Sequence, residues 1–166
     1  DYTASDFASK LGELPTFADL IVMMEQCHSG GFNDMVIESS TAERTTFAAA
    51  CTEGKNSIGG ADFDPFAREW IAALAGADPY GAALVSDPDY DSSGKISARE
   101  AFAYADDVHD PYDSPVYSAY GTDAGDQHFH QKWLYLFVYR EFVLQELRLL
   151  RDGLGDPIQY RKAIRT

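Results

Sequence analysis

Apolar positions along the first half of the chain follow two different periods. In "TASDFASKLGEL" (3–14), Phe7, Leu11 and Leu14 fall at helical spacing, Thr3 or Ser5 offers a cap, and Pro15 follows, so the stretch predicts a helix. "DLIVMM" (19–24) is a short unbroken apolar run, the pattern of a strand covered on both faces. "RTTFAAAC" (44–51) is a second such run, β-branched and then small, and a polar, Gly-rich loop is expected between the two. "DPFAREWIAALAG" (64–76) predicts another helix: Pro65 sits in its first turn, Phe66, Trp70, Ile71 and Leu74 share a face, and Gly76 stops it. Helix, strand, loop, strand, helix is an α/β order and predicts a mostly parallel sheet.

The second half changes character. Residues 77–127 are rich in Asp, Pro, Gly, Ser and Tyr, with one helix-like insert at "SAREAFAYADD" (97–107). "DPYDSPVYSAYGTDAGDQ" (110–127) reads either as a cleft-edge loop or as packed irregular chain. From about residue 140, "REFVLQELRLLR" predicts a helix with one broad apolar face, while "WLYLFVY" before it fits a helix or a last strand equally. The chain divides into an α/β segment (1–76), an acidic insertion (77–127) and a C-terminal strand and helix completing the domain (128–166).

Length and charge narrow the possibilities. The 166 residues suffice for one domain with a real core. A net charge of −14 excludes nucleic acid as a partner, because phosphate binding needs Lys and Arg clusters. Anionic membrane surfaces are disfavoured for the same reason, and the apolar stretch from Trp133 to Val138 is too short to span a bilayer. Such acidity fits a soluble, hydrated surface, a calcium-rich milieu or attraction for basic peptides, with a lean to a secreted or extracytoplasmic setting. Cys27 and Cys51 are the only cysteines, too few for a disulfide framework or a zinc site. No signal peptide is visible and Asp1 is not an initiator Met, so an N-terminal part is expected to have been removed or left out.

Candidate chemistry begins in "LIVMMEQCHSGGF" (20–32). A thiol attacks carbonyl carbon well when it stands near a base and near donors for the resulting oxyanion. Cys27 follows an apolar strand, so it would sit at the carboxyl end of a sheet, where open α/β folds bind ligands. Gly30 and Gly31 let the backbone approach a substrate closely. The bland alternative is a core cysteine ending a strand, since Cys is among the most buried residue types. Cys51 is expected to be a small buried hydrophobe.

The full string resembles the nucleophile segment of caspase-like cysteine peptidases, the group of caspases, metacaspases, legumains and the clostripain type. There an apolar strand ends in an acidic residue, a small or polar residue, Cys, a variable residue and Ser-Gly or Gly-Gly. "TTFAAACTEGKNSIGGADFDPFAREWIAAL" is similar to the family's next strand, substrate loop and helix, so the resemblance covers about residues 1–76. It implies a three-layer α/β/α fold, incomplete here at its N-terminus, with Cys27 as nucleophile and its backbone N–H as an oxyanion donor. It places Glu25 where legumains and metacaspases keep an acid lining the pocket for P1, the substrate residue before the cleaved bond. Asp62 is a second candidate acid of that pocket. An acidic pocket favours P1 Arg or Lys, with Asn as the close competitor.

The family's catalytic His lies on a strand upstream of the helix with which this chain opens. His28 neighbours Cys27, and strand neighbours point to opposite faces, so it is not expected to be the base. His109, His128 and His130 match nothing in the family. The resemblance therefore implies a partner: an N-terminal subunit or segment that carries the His, the chain being a processed subunit or a shortened form.

"DYDSSGKISARE" (89–100) follows the spacing of an EF-hand calcium loop. Asp89, Asp91 and Ser93 stand at positions 1, 3 and 5, Gly94 at 6, Lys95 would offer its carbonyl at 7, and Glu100 at 12 could close the shell. Ser97 could act through water, and Asp87 could add charge. Ser93 replaces the usual Asp or Asn, and Pro79 and Pro88 interrupt any preceding helix. The alternative is an acidic turn capping the helix that begins near Ser97.

Three functions follow as expectations. The first is a cysteine endopeptidase cleaving peptides or proteins basic at P1, with Ca2+ stabilising the insertion or gating the cleft and taking no part in the chemistry. The second is a calcium-binding interaction module on a pseudo-peptidase scaffold. Another thiol chemistry, amide hydrolysis or transpeptidation, shares the same nucleophile.

Overall fold

The computed structural model describes residues 3–108 and 111–128, which fall within one compact unit. The readings of residues 131–151, and of the C-terminal segment after His128, lie outside the described residues. Helix α1 (Ala4–Gly12) is opened by Thr3 through a reciprocal capping box. The Thr3 hydroxyl accepts from the Asp6 N–H at 3.2 Å, and the Asp6 carboxylate accepts from the Thr3 N–H at 2.9 Å. Phe7, Ala8 and Leu11 form its buried stripe.

Strand β1 (Phe17–Met24) is followed by a turn, a 3-10 turn at Ser29–Phe32, and helix α2 (Asn33–Ser39). The expected loop thus contains a helix. It has seven residues and buries only Val36, so it leaves no apolar period to read. Strand β2 (Ala42–Ala49) and helix α3 (Pro65–Ala75) follow, with Gly76 ending α3 at φ 71°, a left-handed conformation that glycine adopts without Cβ strain. Helix α4 (Ala98–Val108) and strand β3 (Val116–Tyr120) complete the set.

The sheet is mixed, in the order β1-β2-β3. β1 pairs parallel to β2, with Leu20 opposite Thr45 and Met24 opposite Ala49. β2 pairs antiparallel to β3, with Thr45 opposite Tyr120 and Ala49 opposite Val116. The parallel expectation holds for the first pair; β3 departs from it because it arises in the Pro- and Asp-rich region 110–127, where no unbroken apolar run marks a strand. A half-exposed edge strand needs only one covered face, so "VYSAY" carries little hydrophobic signal.

β2 is central, and Thr45 to Ala49 are buried. Alternation then sorts the core. Ala48 and Ala50 lie with Phe66, Trp70, Ala101 and Tyr104 of α3 and α4, and Ile21 and Met23 pack against that cluster. Val22 and Met24, of opposite parity, are buried too. Arg44 grips Asp19 across β1 and β2 with bonds of 2.6 and 2.9 Å, and Gln127 donates to the same carboxylate at 2.9 Å. Partial burial works to raise Asp19, but these bonds hold its carboxyl below the ordinary range. Among the described residues no helix is long and apolar enough to cross a membrane.

Candidate active site

Beyond Met24 the chain leaves the sheet in a tight turn. His28 is left-handed at φ 62°, and the turn is stitched to the loop that follows β2. The His28 N–H donates to the Lys55 carbonyl at 2.9 Å and the Gly30 N–H to the Cys51 carbonyl at 2.8 Å. Gly30 is needed for this approach: a Cβ there would stand 2.7 Å from the Cys51 oxygen and 2.8 Å from the Thr52 Cα. The close approach is therefore to the chain's own 51–53 backbone.

Cys27 sits exposed on this turn, with Sγ 3.5 Å from the Ser57 carbonyl. Ser29, Gly30 and Gly31 spend their backbone N–H groups on Gln26, Cys51 and His28. Among the described residues neither the Gln26 nor the Cys27 N–H donates to a backbone carbonyl, so the Cys27 N–H is not spent within the turn. The His28 ring places Nδ1 2.6 Å from the Glu53 carbonyl, a bond that requires the proton on that nitrogen and ties the ring to the loop. His128 forms an isolated bridge with Ser97, near the acidic loop. Cys51 is buried, its thiol directed at the Lys55 carbonyl at 3.2 Å.

Glu25 is half-buried at the end of β1 and makes no ion pair or hydrogen bond with a described side chain. Burial raises its carboxyl above the ordinary range, and the Asp64 charge adds to the rise. Asp64 lies just before α3 but makes no side-chain cap for that helix; it accepts the Gly60 N–H at 2.8 Å. Asp62 is turned elsewhere. It accepts the Tyr80 hydroxyl at 3.0 Å, and Tyr80 also meets the Phe63 ring edge-on and lies under Arg68. The acid electrostatically coupled to Glu25 is thus Asp64, two residues along from the sequence candidate. The run "GADFDP" offered both positions, and Asp64 before Pro65 reads first as a helix cap.

Asp113 was not visible as a site residue. It is buried at 4% exposure, where the Ser114 N–H extends the ladder to the Ala50 carbonyl at the carboxyl end of β2. Its Oδ1 accepts from the Ser57 hydroxyl at 2.8 Å and the Ile58 N–H at 3.0 Å. Asp113 therefore bonds to the loop whose carbonyl meets Cys27. Its only sequence cue is an Asp among several others in a Pro- and Tyr-rich stretch.

In the acidic loop, Asp89, Asp91 and Glu100 each present an oxygen within 4.8 Å of the other two. Gly94 takes φ 79° at the sharp turn, and Asp89 accepts the N–H groups of Ser93 at 2.9 Å and Gly94 at 2.7 Å. The Ser93 hydroxyl is directed at the Lys95 carbonyl at 3.1 Å, so these two candidate ligands face each other. Glu100 accepts the Ser97 N–H at 2.8 Å while the Ser97 hydroxyl accepts the Glu100 N–H at 3.2 Å, a capping box for α4. The capping role and a cluster of hard oxygen donors are both built into the same residues. The three carboxylates are hard oxygen donors that could hold a metal ion, the kind of donor that calcium takes. Ile96, at the eighth loop position, packs against the α3–α4 core.

No protein-family model, curated protein or solved structure matches the chain.

Proposed function

We propose that the chain carries the nucleophile of a caspase-like cysteine endopeptidase. The observation that supports this reading most directly is the turn at Cys27, where an exposed thiol stands beside its own N–H, which donates to no carbonyl among the described residues. In the proposed reaction the Cys27 thiolate attacks the scissile carbonyl, and charge builds on the carbonyl oxygen, where the Cys27 N–H can stabilise it. Collapse breaks the C–N bond, the amine leaves with a proton from the base, and water hydrolyses the thioester. Glu25 and Asp64, electrostatically coupled and without a cation among the described residues, favour P1 Arg or Lys over Asn, because a guanidinium or ammonium relieves their mutual repulsion.

The base is a histidine carried by a partner subunit or segment. Among the described residues His28 is bound to Glu53 and His128 lies by the acidic loop, so neither is placed to serve Cys27. β1 pairs only with β2 among those residues, leaving a free edge where a further strand of the caspase-like sheet can add.

The test is covalent labelling, in protein supplied with the complementary segment, by peptidyl electrophiles bearing Arg, Lys or Asn at P1. Labelling of Cys27 that follows the P1 residue is expected. Equal labelling by a scrambled peptide would sink the reading.

The carboxylate cluster of Asp89, Asp91 and Glu100 favours a second, compatible reading, a calcium site in the insertion. The residues that would hold the ion are those three, with the Lys95 carbonyl and the Ser93 hydroxyl. The ion would supply charge neutralisation and a fixed start to α4.

A further inference from the structure

The loop between β2 and α3 passes directly over the reactive turn, and one buried side chain holds it there. Ser57 brings its carbonyl to 3.5 Å from Cys27 Sγ. The same residue's hydroxyl, and the N–H of Ile58, both end on Oδ1 of Asp113. Asp113 is itself anchored where the Ser114 N–H meets the Ala50 carbonyl, at the rigid end of the central strand. A chain of bonds therefore runs from the sheet, through Asp113, to the atom facing the thiol.

The second oxygen of Asp113, Oδ2, is buried and has no hydrogen-bond partner among the described residues. A buried carboxylate oxygen without a donor is costly, and the cost is relieved when the atom reaches water. Lifting the Ser57–Ile58 strap breaks two bonds to Oδ1 but lets Oδ2 hydrate, so the two contributions oppose each other. The clamp holds the strap without locking it.

We propose that Asp113 is a positioning residue for Cys27: it fixes the Ser57–Ile58 strap so that the Ser57 carbonyl engages the thiol until the strap is displaced. A carbonyl oxygen accepts from a thiol but offers nothing to a thiolate, so where the strap lies governs how readily Sγ attacks an electrophile. Substrate entering the cleft would compete with this contact. The proposal rests on Cys27 as the reactive thiol, but it does not require that the electrophile be a peptide.

The chain carries its own control, because Cys51 is fully buried while Cys27 is exposed. A timed pulse of iodoacetamide on the folded chain, read residue by residue by mass spectrometry, gives both rates. Asp113→Ala removes the clamp and is expected to speed alkylation of Cys27 about fivefold, the factor one hydrogen bond of ordinary strength commands, with Cys51 still protected. Asp113→Asn keeps an oxygen acceptor for Ser57 and Ile58 and is expected to restore the wild-type rate. Ser57→Ala, which leaves the Ile58 bond in place, is expected to fall between. If Asp113→Ala does not fold, Ser57→Ala decides, and an unchanged Cys27 rate there overturns the proposal. It is also overturned if Asp113→Ala leaves Cys27 unchanged, if both cysteines accelerate together, or if the Asn variant matches the Ala variant. Because iodoacetamide contains no peptide, failure of the peptidyl electrophiles alone would remove the peptidase reading and leave the clamp standing.

Discussion

Two groups of carboxylates on this chain are built in opposite ways. Glu25 and Asp64 are half-buried and electrostatically coupled, with no cation paired to either among the described residues, and burial together with the Asp64 charge raises Glu25. Asp89, Asp91 and Glu100 stand close together, but their own loop feeds them donors. Asp89 takes two backbone N–H groups, Glu100 takes those of Ser97 and Asp91, and hydrogen bonds from Ser93 hold Asp91 below the ordinary carboxylate range. In the first group Asp64 takes one N–H, that of Gly60, while Glu25 is penalised by burial and by the Asp64 charge. The second is already partly relieved, and only an ion that contacts several oxygens at once adds to what the loop supplies. Clustering alone does not say what an acidic group is for; the count of donors already spent on it does.

The comparison breaks most visibly at Cys27. Cys27→Ala is expected to abolish labelling by the P1-Arg electrophile, a loss of roughly 10³-fold or more, while leaving any calcium-dependent rise in thermal midpoint intact. Loss of both effects together would mean the two groups are not independent. For the second group, calcium at about a hundred times its dissociation constant should stabilise the chain by about 2.7 kcal/mol. Glu100→Gln should remove most of that gain, read as the midpoint shift in calorimetry with and without calcium. A wild-type midpoint that ignores calcium but responds to Glu100→Gln would leave only the capping role. For the first group, Glu25→Gln should reduce the preference for P1 Arg over a neutral residue about tenfold, worth about 1.4 kcal/mol, with calcium stabilisation unchanged. A preference that survives in Glu25→Gln but falls in Asp62→Asn would give the pocket to Asp62, the second acid that the sequence offered.

How far these features could be read from residues depends on the scale of the interaction that places them. The helix opened by Thr3, the two apolar runs and the helix from Pro65 to the left-handed Gly76 were legible, because caps and periodic apolar positions act over a few neighbours. The place of Cys27, just past the end of β1, was legible through the run into "EQCHSGG". Helix α2 and strand β3 were not, since one has a single buried residue and the other is a half-exposed edge whose partner lies about seventy residues away in sequence. Gly30 was read as room for a substrate, whereas its missing Cβ makes room for the Cys51–Glu53 backbone, a long-range contact. Asp64 and Asp113 escaped for the same reason. Asp64 carries the local signal of a helix cap before Pro65, Asp113 carries none, and each acquires its role from a group that only the fold brings near.

The smallest expected effect is also the cleanest probe of the difference between the two acidic groups. The folded carboxyl of Glu25 binds its proton more tightly than it does in the unfolded chain, where the ordinary value of 4.5 applies. Its favourable contribution is therefore fully present below that value and is lost as the pH rises through the raised folded one. Asp19 runs the other way: its lowered carboxyl contributes stability above the unfolded value and loses it as the pH falls. Urea unfolding of the wild type alone would mix the two slopes. Subtracting the wild-type curve from that of Glu25→Gln isolates the first, because Asp19 and Asp91 remain in both proteins. The difference should rise from pH 4.5 toward pH 7.5, leaving Glu25→Gln more stable at neutral pH by less than about 1 kcal/mol, since a half-exposed group is screened by solvent. That variant would be the sturdier protein and the poorer binder of a basic side chain. A flat difference would mean that a counter-charge already sits beside Glu25 and Asp64, and the two acidic groups would then be alike.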